Sequence, residues 1–93
     1  MRLSEASRRA FHHHMQVGLL RPATVRSYRT QMRSAVEVLG DPELRMIRRS
    51  AVEAWIAFGE VGAGTRRARR NALRNVWRWA LAHDHVSHDP TRA

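Results

Sequence analysis

The chain contains no cysteine and no lysine, and it has a single tyrosine. Without cysteine there is no disulfide framework and no thiolate metal site, which fits a reducing cytoplasm. No apolar run approaches the length needed to cross a bilayer, and the N-terminus lacks a signal-peptide pattern, so a soluble intracellular protein without a membrane partner is expected. Catalytic chemistry is poorly supplied. The one tyrosine falls on an expected buried face, and Ser and His are scattered without a spacing that joins nucleophile to base. No GK[ST] follows the glycines, so there is no phosphate-cradling loop of the Walker type. The expectation is a domain that binds rather than catalyses and needs no cofactor.

What the chain has in excess is positive charge. Its 93 residues allow one domain with a modest core, and a hydrophobic fraction of 43% is ordinary for a globular protein. The net charge is +9, and all 17 basic residues are arginine. Such a balance points to an anionic partner. Arginine presents a planar fork of donors that matches phosphate and the O6/N7 edge of guanine. A GC-rich genome accounts for most of the preference of Arg over Lys, but not for the surplus of positive over negative charge.

Hydrophobic periodicity predicts an all-α chain of four helices, or five with a short one at the end. The first covers residues 3–17, with Ser4 as N-cap and Gly18 as terminator. Consecutive His12, His13 and His14 point in different directions on a helix, so a solvated face is expected there rather than a metal site. The second helix runs from Pro22 to Leu39 and stops at Gly40; Val25, Tyr28, Met32, Ala35, Val36 and Leu39 form its inward face. Arg26, Arg29 and Arg33 line the flank of that face, and Glu37 stands four residues beyond Arg33. Leu44, Met46 and Ile47 are expected to dock the next loop. A short helix follows over residues 50–58, with Val52, Trp55 and Ile56 inward and Phe58 as a further candidate.

The longest uninterrupted helical stretch is Thr65 to His83. Leu73, Val76, Trp77 and Ala80 fall on one side of it, and Trp79 is expected against the first helix. In its first two turns Arg66, Arg67, Arg69 and Arg70 surround the axis. Unpaired charge is too costly to bury, so this end is expected to project toward something anionic. Beyond it, His83, His85 and His88 read as a polar exit turn with no metal ion.

These segments resemble a known family. LLRPATVRSYRTQMRSAVEVLG is similar to the T-x-x-x-Y helix that opens the N-terminal, core-site-binding domain of tyrosine recombinases and phage integrases, with Thr24 and Tyr28 matching. GAGTRRARRNALRNVWRWALAHDHVSHDP is similar to the second signature of that domain through Thr65, Ala72, Leu73, Arg74, Val76, Trp77, Asp89 and Pro90. The likeness spans residues 3–90. Positions 66 and 70, often apolar in the family, are arginine here, and Arg21 stands where many relatives carry a capping Ser.

The resemblance implies a SAM-like bundle of four to five helices that forms one half of a C-shaped clamp around DNA. Residues 1–90 would be the core-site DNA-binding domain, and residues 91–93 would start a linker to a C-terminal catalytic domain carrying the catalytic tyrosine. Double-stranded DNA, that catalytic domain and neighbouring recombinase protomers would be the partners of a bacterial or phage-encoded cytoplasmic protein, associated with the nucleoid when bound. Thr24, Arg26, Arg29 and Arg33 would meet the duplex from one helix, and Thr65, Arg66, Arg67, Arg70 and Arg74 from the other. Most of these contacts would go to phosphate, with one or two arginines reading guanine. A stand-alone regulator or nucleoid-type protein of the same fold, or a helical protein-interaction module, are the alternatives.

Overall fold

Proline at a helix start and glycine past its end are local signals, and both act here. In the computed structural model, which describes residues 1–92, α2 spans Pro22–Leu39, with Pro22 in its first turn and Gly40 in the left-handed region at φ 82°. The Arg21 N-cap makes no side-chain hydrogen bond to the helix end. Before it lies α1 (Leu3–Gln16), and after it come a 3₁₀ turn (Leu44–Met46), α3 (Arg49–Ile56) and α4 (Ala63–Ala82). The described residues form an all-helical bundle with no strand; one isolated antiparallel bridge joins Arg2 to Glu43.

α1, α2 and α4 pack on one another, and α3 closes the bundle against α2 and α4. Trp55, Trp77, Phe11, Leu3, Leu44, Leu73, Val52 and Val76 are fully buried and form the centre. Val25, Met32 and Ala35 bury the inward face of α2, with Tyr28, Val36 and Leu39 partly covered beside them. Trp79 is also buried. The Arg9 guanidinium of α1 lies 5.2 Å from its ring centroid, and His85 stacks on it at 4.8 Å.

Three sequence expectations are corrected here. Ser4 is not the N-cap of α1: Arg2 occupies that position without a side-chain cap, and Ser4 lies inside the helix. The capping carboxylate arrives from far along the chain, as Asp41 accepts from the Ser4 backbone N–H at 2.8 Å and from its hydroxyl at 2.7 Å. Met46 is 67% exposed, because a 3₁₀ turn eclipses residues three apart and so sends Leu44 and Ile47 inward together. Phe58 lies past the end of α3 and is 56% exposed.

No fifth helix follows α4 among the described residues. Asp84 takes a left-handed φ of 58°, and the His85 N–H returns to the Ala80 carbonyl at 2.9 Å, which stops the helix. The chain then folds back on the core. Trp77 Nε1 donates to the His88 carbonyl at 3.0 Å, and Pro90 is buried. The expected linker start at residues 91–93 ends on Ala93, which lies outside the described residues.

The long-range cap gives a direct test. Asp41→Ala is expected to lose about 1 kcal/mol, in the range of an N-cap deletion, when urea unfolding is followed by tryptophan fluorescence. Ser4→Ala, which leaves the backbone N–H bond intact, should cost less.

Candidate nucleic-acid interface

α4 carries six arginines and no carboxylate along its length. Successive residues turn by about 100°, so Arg67, Arg70, Asn71, Arg74 and Arg78 share one arc of the helix. All are exposed except Arg70, which is half-buried. Leu73, Val76, Trp77 and Ala80 occupy the adjoining, core-facing arc and are buried. No residue of α4 before Arg69 is buried, so its first turn and a half lies at the edge of the packed body. That is why Arg66 is exposed although it falls on the core side of the wheel, and Thr65 is half-buried there.

That end of α4 concentrates charge where a helix least favours it. The N-terminal end of a helix dipole is positive and stabilises anions. Here it has no acidic residue in its first turn, and Arg66, Arg67 and Arg70 gather beside it. No internal partner relieves them. Among the described residues the one ion pair within 4 Å joins the Met1 ammonium to Glu43, so no arginine is neutralised by a carboxylate. The ammonium's hydrogen bond holds the Glu43 carboxyl below the usual carboxylate range, against a smaller opposing effect of burial, with Arg2 and Arg45 adding to the shift. Arg33 and Glu37 do not form the ion pair that their spacing permits.

One of the collar arginines is not at the surface. Arg69 is only 7% exposed and turns into the seam between α3 and α4. Its Nη1 donates to the carbonyls of Trp55 at 2.9 Å, Ile56 at 3.2 Å and Phe58 at 2.8 Å. The guanidinium also lies 5.8 Å from the Trp55 ring centroid. These carbonyls close the C-terminus of α3, the negative end of its dipole, so the charge is buried against partners that favour it. The expectation that α4 begins with a collar cationic all round is therefore corrected at this position.

On α2, Arg26, Arg29 and Arg33 are exposed and Thr24 is half-buried. Arg29 and Arg33 line a groove with Ser4 and Arg8 of α1. Arg74 lines a different groove, shared with Leu20, Tyr28, Asn71 and Arg78. The structure thus assembles Arg67, Arg70 and Arg74 into one stripe and adds Arg78 and Asn71 to it. It places Arg29 and Arg33 with Arg8, along another groove. Arg78 was legible in the sequence, since it continues the four-residue spacing from Arg70 through Arg74. Asn71, being neutral, gave no signal in a search for charge.

α1 and α4 are also joined by a buried polar contact, His14 Nδ1 to Asn75 Oδ1 at 2.7 Å. His13, His83 and His85 cluster near Trp79, with the His13 and His83 ring centroids 5.3 Å apart. Among the described residues no three His, Asp or Glu side chains are grouped so as to hold a metal ion, and no helix is long and apolar enough to cross a membrane. Comparison of the chain with protein-family models, with curated proteins and with solved structures finds no match to any of them.

Proposed function

We propose that the protein is the core-site-binding domain of a site-specific tyrosine recombinase, and that it grips double-stranded DNA as one half of a clamp. The observation that carries this reading is the arginine stripe of α4, which no carboxylate neutralises among the described residues. Arg66, Arg67, Arg70 and Arg74 meet the phosphates, Thr65 helps seat the helix end, and Arg78 extends the row. α2 contributes Thr24, Arg26, Arg29 and Arg33 in lesser measure, since Arg29 and Arg33 line a separate groove with Arg8. Strand cleavage belongs to a separate C-terminal catalytic domain of the same parent protein, and other protomers on the site are the remaining partners. Tyr28 serves packing rather than chemistry: its ring lies 5.8 Å from that of Phe11.

Hydroxyl-radical footprinting on a duplex tests the half-clamp. Protection should fall on one face of the duplex, and no protein–DNA adduct should survive denaturing gel electrophoresis. Arg74→Ala should weaken the footprint, whereas Arg2→Ala, whose guanidinium is engaged by the Asp41 carbonyl, should leave it unchanged. Protection around the whole circumference, or a covalent adduct through Tyr28, would contradict the proposal.

A further inference from the structure

Phosphate contacts fix a protein's position on DNA but carry no direct sequence information. The arginines of α4 can supply such contacts in number, which leaves open what distinguishes one base pair from another. One member of the same exposed stripe is neutral. Asn71 sits one turn beyond Arg67 and one turn before Arg74, and it is exposed. The neighbouring Asn75 amide is engaged by His14. The Asn71 side chain forms no hydrogen bond within the described protein.

The surroundings of Asn71 also differ from those of a phosphate seat. Its groove is shared with Arg74 and Arg78 on one side and with Leu19, Leu20 and Tyr28 on the other. Leu19 is 61% exposed, an apolar wall that offers nothing to a phosphate but is suited to the C5-methyl group of thymine. A carboxamide holds a donor and an acceptor side by side, which matches the N6–H and N7 edge of adenine in the major groove. Arginine has donors only and selects guanine. An amide in the middle of a cationic row therefore does what the arginines around it cannot.

We infer that Asn71 is a specificity-determining residue that reads adenine in the major groove, with the flanking arginines holding the helix in register. This rests on the DNA-binding reading above. The test uses the full chain, a duplex library with a randomised central segment, and sequencing of bound against input DNA at fixed salt. The wild-type protein should enrich adenine at one position, and Asn71→Ala should flatten that position by on the order of tenfold. The slope of log K against log salt should stay the same in that variant. Asn71→Gln, which keeps the carboxamide, should retain part of the preference. Arg67→Ala should do the reverse, lowering the slope by about 0.9 while the base preference persists. Asn71 is exposed, so a thermal melt of each variant should match the wild type. An unchanged adenine preference in Asn71→Ala, or a wild-type protein that enriches no base at all, would overturn the inference while duplex binding stands. Failure to retain any duplex would overturn this inference and the proposed function together.

Discussion

Replacing Arg69 with alanine is expected to cost about 1.5–3 kcal/mol, the range for hydrogen bonds made by a charged group, with the lost packing of its side chain in addition. Such a loss is a large fraction of the stability of a domain this small. Three carbonyls at the end of α3 lose their common donor, and the space held by the guanidinium beside Trp55 is emptied. Arg69→Met refills most of that space but takes the donor from the Ile56 and Phe58 carbonyls, while the Trp55 carbonyl keeps the Phe58 N–H, so a loss of about 1 kcal/mol should remain. Arg67→Ala, on the exposed side of the same helix, should stay within about 0.5 kcal/mol of wild type. Urea unfolding followed by tryptophan fluorescence measures all three. If Arg69→Ala unfolds at the wild-type midpoint, Arg69 does not hold α3 to α4.

Arg69 also shows where reading the sequence succeeds and fails. It precedes Leu73, Val76 and Ala80 at helical spacing, a position on the buried side of α4, yet it was read as part of the cationic ring around the axis. The rule that charge is excluded from cores overrode that position, because the sequence does not show the end of α3 lying opposite as a row of acceptors. The helix ends of α2 were legible because Pro22 and Gly40 act locally. The start of α1 was misread because its capping partner, Asp41, lies 37 residues away. Trp79 was placed against α1 correctly, since a large aromatic beside the core face of α4 needs cover. The α4 arginine stripe was legible because one helix carries it. Which groove Arg29 and Arg33 face depends on the packing of α1 beside α2, and the periodicity of α2 contains nothing about that.

Charge reversal on α4 should have the second large effect. Arg67→Glu combined with Arg74→Glu is expected to weaken duplex binding roughly a hundredfold, on the order of tenfold for each reversed contact. Both residues are exposed, so the variant should melt with the wild-type protein or slightly above it. A melting point above the wild type is physically reasonable, because Arg67→Glu places an acid near the positive end of the α4 dipole. Arg29→Glu with Arg33→Glu should weaken binding less, since those arginines line a separate groove with Arg8. Fluorescence anisotropy with a labelled duplex orders the two pairs. Equal losses from both would mean that α2 shares the duplex equally with α4.

The most direct measurement of the central claim is the salt dependence of duplex binding by the unaltered protein. A protein that neutralises about six phosphates gives a slope of log K against log salt near −5, so affinity should fall about a thousandfold between roughly 50 and 200 mM salt. On the proposed half-clamp reading these residues alone forgo the effective concentration of a linked second module, so dissociation constants of about 10⁻⁴–10⁻⁶ M are expected at physiological salt. A slope close to zero would contradict DNA as the partner of the α4 arginines.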